Sequence, residues 1–267
     1  MKRGAVTVGY LDAGQWSASF GLSYRDLCLF DAASSRRIVR PGGTELRQMC
    51  GTGGIAEGRN EVARAFLDTQ DAEWLWFVDT DMGFRPDTVD RLVASADRYA
   101  APVMGGLCFA LRRTSPGGAL HAPEFAIIPT CYSYAEMDDE VGFLPMKDYG
   151  RDQVIKVAGT GAACLLIHRD VLTRVREQYG PAWFDPITHP SGYRGGRRVF
   201  SEDLSFCVRL AALDVPVHVN TAVKTSHEKG GVYLTEDAYD KQMALVRLEA
   251  EVEVTGLGDR RPVRNAG

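Results

Sequence analysis

The clearest chemical feature of the sequence is a pair of carboxylates, Asp79 and Asp81, that follows the apolar run of residues 74–78. Five apolar residues in a row predict a strand buried on both faces, as in the centre of a parallel sheet. Open α/β sheets bind their ligands at the carboxyl ends of such strands. Because the two acids repel each other, a hard divalent cation shared with substrate phosphates is expected there. The plain alternative is an Asp-rich turn.

Residues suited to the same chemistry occur at three other places in the chain. Arg59 lies in a predicted helix before the acidic strand, Glu202 and Asp203 open a later helix, and His227 follows the segment 217–219. Each has a structural alternative as well as a functional one. Arg59 could pair on the helix surface with Glu57 or Glu61. Glu202 and Asp203 could cap a helix N-terminus, and His227 could be a solvated loop residue.

The elements that would position these residues alternate between strands and helices, which predicts an α/β fold with a mostly parallel sheet flanked by helices. Strands are predicted at 5–11, around 38–39, and at 74–78, 102–106, 154–157, 162–168 and 217–219, the last of them closing the sheet. Helices are predicted at 17–30, 55–67, 86–99, 170–178, 202–213 and 236–251. The pattern breaks down between residues 111 and 152, where only short β-like pieces are predicted, at 125–128 and 130–134, and where an α/β core usually carries a substrate-facing insertion.

Composition sets the broad class. The chain has 267 residues, 45% of them hydrophobic and 25% charged, with a formal charge of -4. This balance predicts a globular protein with no general attraction to nucleic acid or anionic membrane. No apolar run approaches a membrane span, and no signal peptide is predicted. Six scattered cysteines without Cys-x-x-Cys spacing indicate buried free thiols, so a cytoplasmic location is expected, in the host if the chain is phage-encoded.

Taken in order, these motifs resemble glycosyltransferases of the GT-A fold, in particular the broad family 2 type and related phage-encoded enzymes. The resemblance spans about residues 4–230. It rests on AEGRNEVA at 56–63, FVDTDMGFRP at 77–86, FSEDLSF at 200–206 and TSH at 225–227. It implies one GT-A-like domain at residues 1–232 and a C-terminal helical extension with a flexible tail at 233–267.

The resemblance also implies a metal and a donor. Asp81 would bind Mn²⁺ or Mg²⁺ directly, Asp79 would contact the ribose or a metal-bound water, and His227 would complete the coordination. Imidazole together with carboxylates suits manganese. The ion would stabilise the diphosphate as it leaves a nucleotide sugar, most simply a UDP-sugar.

Further roles follow from the same resemblance. Arg59 would contact nucleotide or diphosphate, Tyr10 and Asp12 the base and ribose, and Thr160 and Gly161 the donor sugar. Asp203 would be the general base of an inverting transfer, with Glu202 on acceptor or sugar. A strand-end turn at Asp12 and a tight turn around Gly161 are the structural alternatives, and the aromatic run at 183–184 is either a sugar platform or core.

The acceptor has two interpretations. Arginine clusters at 36–37, 112–113 and 194–198 would form an anionic-acceptor surface, such as DNA carrying a hydroxymethylated base. Solvated loop arginines would instead leave a protein or glycan as acceptor.

Three other classes compete with the transferase. A haloacid dehalogenase-type phosphotransferase would want Thr or Val where Gly83 stands, and a sugar nucleotidyltransferase would want a Gly-rich basic loop after the first strand. A non-catalytic carbohydrate-binding module would not need the acids and His227 together.

Overall fold

The computed structural model describes residues 2–38, 45–48, 53–113, 125–137, 140–189 and 199–258. Its strands are β1 (Lys2–Leu11), β2 (Glu45–Gln48), β3 (Ala72–Val78), β4 (Met82–Gly83), β5 (Val103–Leu107), β6 (Phe109–Arg113), β7 (Phe125–Pro129), β8 (Cys131–Met137), β9 (Glu140–Pro145), β10 (Val154–Val157), β11 (Gly159–Thr160), β12 (Cys164–His168), β13 (Val217–Lys224), β14 (Ser226–Lys229) and β15 (Val232–Leu234). Its helices are α1 (Ala18–Ala33), α2 (Gly54–Thr69), α3 (Thr88–Ser95), α4 (Arg169–Tyr179), α5 (Glu202–Ala212) and α6 (Glu236–Gly258).

The main sheet has seven strands in the order β10-β13-β5-β12-β3-β1-β2. The α/β class is therefore confirmed, but the sheet is mixed rather than mostly parallel. β1 is parallel to β2 and β3, and β13 is parallel to β5, whereas β12 runs antiparallel between β3 and β5, and β10 antiparallel to β13. The apolar run that predicts β12 carries no information about direction, since buried parallel and antiparallel strands have the same composition.

The apolar strand β3 separates two hydrophobic cores. Leu75 and Phe77 face a core that includes α2, α4 and α5, while Trp74 and Trp76 face a second core built on α1 and α3. Each side chain is at most 4% exposed. Burying a large apolar side chain stabilises a fold by about 2–3 kcal/mol, so β3 is a principal anchor of the sheet. Its C-terminal end is correspondingly well fixed.

Gly9 allows α2 to approach the sheet closely. A Cβ at this position would lie 2.8 Å from Cγ1 of Val62 and 3.1 Å from Cδ1 of Leu75. Val62 belongs to α2 and lies less than one helical turn beyond Arg59. The absent side chain in β1 therefore helps to set the position of the helix that carries Arg59.

The C-terminal part of the sequence forms more strands than expected. Segment 217–219 is not the last strand: β13 continues to Lys224, and β14 and β15 follow, so His227 lies in a strand rather than in a loop. β14 pairs with β4, with Ser226 opposite Gly83 and His227 opposite Met82. Segment 226–229 is short and polar, and the apolar segment 232–234 has only three residues, so neither shows the apolar alternation from which strands are predicted.

The region predicted to be largely irregular contains the two short β-like pieces as β7 and β8, and it also contains β6 and β9, which the sequence does not predict. Within residues 111–152, β6 pairs with β7, and β8 pairs with β9 and β11, outside the main sheet. β2 was likewise not predicted, while Ile38 makes only a single bridge to Val6, and residue 39 lies outside the described ranges. These strands are short or face solvent on one side, which weakens their sequence signal.

Two further expectations concern the cysteines and the membrane. Cys108, Cys131, Cys164 and Cys207 are buried free thiols and Cys28 is a partly exposed one, whereas Cys50 lies outside the described residues. In the described part of the chain, no helix is both long and apolar enough to span a bilayer.

Candidate active site

The two acids occupy a tight turn between β3 and β4. The Asp79 amide donates to the carbonyl of Ala163 at 3.2 Å, and the Met82 amide donates to the carbonyl of Asp79 at 3.1 Å. Thr80, between the acids, accepts at its carbonyl from the amide of Ser17 at 2.9 Å. The turn is thus tied both to the loop after β1 and to the segment before β12, which fixes the directions of the acidic side chains.

Asp81 is bracketed by two side chains of β14. Nε2 of His227 lies 3.2 Å from Oδ1 of Asp81, and Nζ of Lys229 lies 2.6 Å from Oδ2. In addition, the amide of Glu228 donates to the Asp81 carbonyl at 2.9 Å. Alternate residues of a strand point to the same face, so His227 and Lys229 both reach the carboxylate while Glu228 points away.

His227 is oriented towards Asp81 by a backbone carbonyl. Nδ1 of His227 lies 2.9 Å from the carbonyl oxygen of Phe109, so in the neutral ring Nδ1–H donates there and Nε2 carries a lone pair. Nε2 and Oδ1 of Asp81 are both buried and have no hydrogen-bond partner among the residues described. Two facing acceptors require a proton or a metal ion between them. A histidine oriented through its other nitrogen by a carbonyl is a typical metal ligand.

The environment keeps Asp81 ionised. Partial burial raises its pKa, but hydrogen bonds and charge from Lys229, and from His227 when Nε2 carries a proton, outweigh burial and lower the pKa to about 2. Asp81 is therefore a carboxylate at any physiological pH. Among the described residues, however, no three His, Cys, Asp or Glu side chains form a cluster that could hold a metal. Asp81 and His227 would supply two ligands, leaving the others to phosphate oxygens and water.

Arg59 is buried and connects the acidic turn to α5. Its guanidinium is 4% exposed and donates to Oδ1 of Asp79 at 3.1 Å and to Oε1 of Glu202 at 3.0 Å. Burial lowers its pKa, but the nearby carboxylates Asp79, Asp203 and Glu202 raise it by more. Arg59 pairs with these acids rather than with Glu57 or Glu61 of its own helix.

Asn60, the neighbour of Arg59, anchors the same helix to the segment before α5. Its Nδ2 donates to Oδ1 of Asp185 at 2.6 Å, and its Oδ1 accepts from the amide of Phe184 at 2.8 Å. Trp183 and Phe184 are fully buried, and the ring of Phe184 stacks on Phe206 at 4.7 Å. The aromatic run is therefore core, not a sugar platform.

Glu202 and Asp203 lie in the first turn of α5, where carboxylates favour the helix dipole. Burial, followed by the charge of Asp203, raises the pKa of Glu202, although Arg59 opposes the shift. Oδ1 of Asp203 accepts from the amide of Leu204 at 2.8 Å and from the hydroxyl of Ser201. Asp203 thus caps the helix through one oxygen.

The second oxygen of Asp203 faces the glycine turn. A Cβ on Gly161 would lie 3.3 Å from Oδ2 of Asp203. Thr160, immediately before it, is 1% exposed, and its carbonyl accepts from Sγ of Cys207 in α5 at 3.7 Å. The structure therefore brings Asp203, Thr160 and Gly161 together, with the glycine leaving space beside the carboxylate.

The end of β1 and the loop after it place Tyr10 and Asp12 near the acidic turn. Asp12 is 4% exposed, and its Oδ1 accepts from the amide of Gly14 at 2.9 Å, as in an Asx turn. Tyr10 is buried in an aromatic cluster with Trp16, Phe20 and Tyr24. Trp16 is 39% exposed, so it presents the accessible aromatic surface of this cluster.

The predicted arginine surface is described only in part. Arg37 pairs with Asp90 at 2.7 Å, whereas Arg112 is exposed on β6. The third cluster, at 194–198, lies outside the described residues.

Three groups of the site are absent from the sequence analysis: Lys229, Trp16 and the carbonyl of Phe109. The alternation of His227 and Lys229 is a signal for the first, once residues 226–229 are known to form a strand. An aromatic residue a few positions after a strand-end aspartate is a weak signal for the second. A backbone carbonyl leaves no trace in the sequence.

Comparison with known proteins supports the fold. No protein-family model and no curated protein matches the sequence. Among solved structures, the chain is similar to GalNAc-T7 with UDP, GalNAc and Mn²⁺, with a TM-score of 0.50 and 10% identity over 85% of this chain and 44% of that one. The chain thus spans less than half of that protein. It also matches A197 from STIV, with a TM-score of 0.46 and 14% identity over 87% of this chain and 91% of that one. The fold is similar to that of GT-A glycosyltransferases.

Proposed function

We propose that the protein is a metal-dependent glycosyltransferase that moves a sugar from a nucleotide-diphosphate sugar to an acceptor hydroxyl. The observation that carries the proposal is the pair of facing acceptors, Nε2 of His227 and Oδ1 of Asp81, at the ligand-binding edge of a GT-A-like sheet. A divalent ion between them fits the buried geometry and the oriented imidazole. UDP and Mn²⁺ are present in the GalNAc-T7 structure, and we propose the same class of donor and metal here.

The metal would be held by Asp81 and His227, while Asp79 would contact the ribose or a metal-bound water. When bound, it would neutralise charge on the departing diphosphate. Oδ1 of Asp79 accepts a hydrogen bond from Arg59, which leaves Oδ2 of this carboxylate to contact the ribose or a metal-bound water. Trp16 and Asp12 would contact base and ribose at the neighbouring strand end.

Asp203 would take the proton of the acceptor hydroxyl. Its capping bonds use Oδ1 and hold the carboxylate in one orientation, while Oδ2 faces Gly161. A fixed carboxylate beside a small residue can hold both a sugar ring and an attacking hydroxyl within reach. Arg59 binds both Asp79 of the acidic turn and Glu202 of α5. It would therefore hold the residues proposed to bind the donor at a fixed distance from those proposed to bind the acceptor.

The test is nucleotide release from a panel of UDP-, GDP- and TDP-sugars, with Mn²⁺ or with EDTA. We expect metal-dependent release from one donor and none from Asp81→Asn. Asp203→Asn should lose transfer to an acceptor but bind the donor as wild type does, and His227→Ala should require more Mn²⁺ for half-maximal release. Metal-independent release, or full activity in Asp81→Asn, would contradict the proposal.

The acceptor is tested in the same assay. Hydroxymethylated DNA, a serine- and threonine-containing peptide and an oligosaccharide are added separately to the donor identified above. Exposed Arg112 favours an anionic acceptor, so stimulation by DNA that is lost in Arg112→Gln would identify DNA. Stimulation by peptide or glycan alone would identify the other class.

A further inference from the structure

Lys229 lies where it competes with a metal ion. Its ammonium is 2.6 Å from Oδ2 of Asp81, while His227 is 3.2 Å from the other oxygen of the same carboxylate. A divalent ion bound by Asp81 and His227 would stand beside this ammonium. The metal ion and the ammonium would be neighbours on one carboxylate, and two cations so close repel each other strongly. Lys229 and the metal therefore cannot both be held tightly by Asp81.

Lys229 is also able to move. Its side chain is 45% exposed, whereas that of His227 is 10% exposed. It stands at the end of β14, before a turn in which Gly230 and Gly231 both have positive φ, 60° and 81°. The backbone of the hairpin is set by pairing with β15, but the four-carbon side chain can leave Asp81 without disturbing that pairing.

A displaced ammonium needs a new partner. The diphosphate of a nucleotide bound at this edge of the sheet would offer phosphate oxygens beside the metal, and lysine is a common phosphate ligand. Without a nucleotide, displacement costs the Asp81 contact and gains only water. The metal alone would therefore bind weakly, and metal together with nucleoside diphosphate would bind cooperatively.

Resting on the proposed function, we infer that Lys229 is an exchangeable cation of Asp81: it occupies the carboxylate in the free protein and transfers to the donor diphosphate when the metal binds. Lys229 is then a further binding residue of the reaction. It also makes retention of the metal depend on the presence of the donor.

The experiment measures binding of Mn²⁺ by calorimetry, with and without UDP, in wild type, Lys229→Gln, Lys229→Arg and Lys241→Gln. Lys229→Gln should bind Mn²⁺ alone about fivefold more tightly, the upper range for a partly exposed ion pair. The factor by which UDP strengthens Mn²⁺ binding should fall by at least as much, because the two bindings are linked. Lys229→Arg should behave as wild type, and so should Lys241→Gln, whose lysine pairs with Asp237 on α6.

Equal or weaker Mn²⁺ binding in Lys229→Gln would overturn the inference, as would an unchanged effect of UDP. Failure of the proposed function has a different result. In that case Lys229→Gln would bind Mn²⁺ more tightly, but no variant would bind UDP or release nucleotide from a sugar donor. That result would support competition between Lys229 and the metal for Asp81, but it would contradict the movement of Lys229 to a donor diphosphate.

Discussion

Asp81 shows how a single residue of the site is linked to folding. Its pKa of about 2 lies below the ordinary value of 3.8, so its interactions stabilise the fold above pH 4 and are lost as the pH falls towards 2. The Asp81 side chain is about one-third exposed, so solvent weakens these interactions. We expect Asp81→Asn to lower the free energy of unfolding by about 1 kcal/mol at pH 7 without metal. Urea unfolding in EDTA at pH 7 and pH 3 measures this, and a difference that does not narrow at pH 3 would contradict it.

Glu202 has the opposite linkage. Its pKa is raised by burial and by Asp203, so the folded protein binds a proton more readily than the unfolded chain, and stability falls as the pH rises above 4.5. Glu202→Gln should therefore unfold at higher urea than wild type at pH 7.5, with a smaller difference at pH 4. Sugar transfer should fall at the same time, as expected where an active site carries an unfavourable charge. A destabilised variant at pH 7.5 would instead show that the Arg59 contact is dominant.

At the scale of elements, the close approach of α2 to β1 controls the position of Arg59. Gly9→Ala would place a methyl group 2.8 Å from Cγ1 of Val62. This contact can be relieved only if α2 moves away from the sheet or if the side chain of Val62 leaves its preferred rotamer. We expect a loss of about 2 kcal/mol in the free energy of unfolding, together with weaker donor binding. Denaturant unfolding and UDP titration test both effects.

The matched control for Gly9 is Gly21 in α1. A Cβ at Gly21 meets no atom within 4 Å. Gly21→Ala should therefore stabilise the protein by about 0.5–1 kcal/mol through helix propensity, and should leave UDP binding unchanged. If both alanines were destabilising, close packing at Gly9 would not be the cause.

The comparison of α5 with β14 shows what the sequence can and cannot predict about elements. The sequence predicts helix α5 because Ser201, Glu202 and Asp203 are good residues for a helix N-terminus and precede an apolar periodic segment. It does not predict strand β14, because Ser-His-Glu-Lys has no apolar alternation and forms a strand through pairing with β4, more than 140 residues earlier. Long-range pairing of this kind is not encoded in local composition.

The same distinction applies to the site. The acidic turn follows from a buried strand with two acids at its end, both visible in the sequence. The bridge from Arg59 to Asp79 and Glu202, and the ammonium of Lys229 on Asp81, depend on which elements become neighbours in three dimensions. Residue type restricts such partners to opposite charges, but only the packing of α2, α5 and β14 selects among them.

At the scale of the whole molecule, the C-terminal helix α6 is connected to the site through Phe109. Tyr239 of α6 is 2% exposed and its ring lies 5.5 Å from that of Phe109, while its hydroxyl donates to the carbonyl of Lys147 at 2.9 Å. The carbonyl of Phe109 in turn orients His227. We propose that the first turns of α6, within the extension expected at 233–267, brace the strand that fixes this histidine.

Tyr239→Ala tests this connection across the molecule. Removing a buried aromatic ring should cost about 3 kcal/mol in the free energy of unfolding, and loss of support for Phe109 should also weaken Mn²⁺ binding in the presence of UDP. Tyr233→Ala is the control, because Tyr233 is 48% exposed on β15 and should change stability by less than about 0.5 kcal/mol. Urea unfolding and calorimetry separate the two effects. A large loss of stability with unaltered Mn²⁺ binding would show that α6 stabilises the fold without orienting His227, whereas loss of both would show that the orientation of this histidine depends on α6.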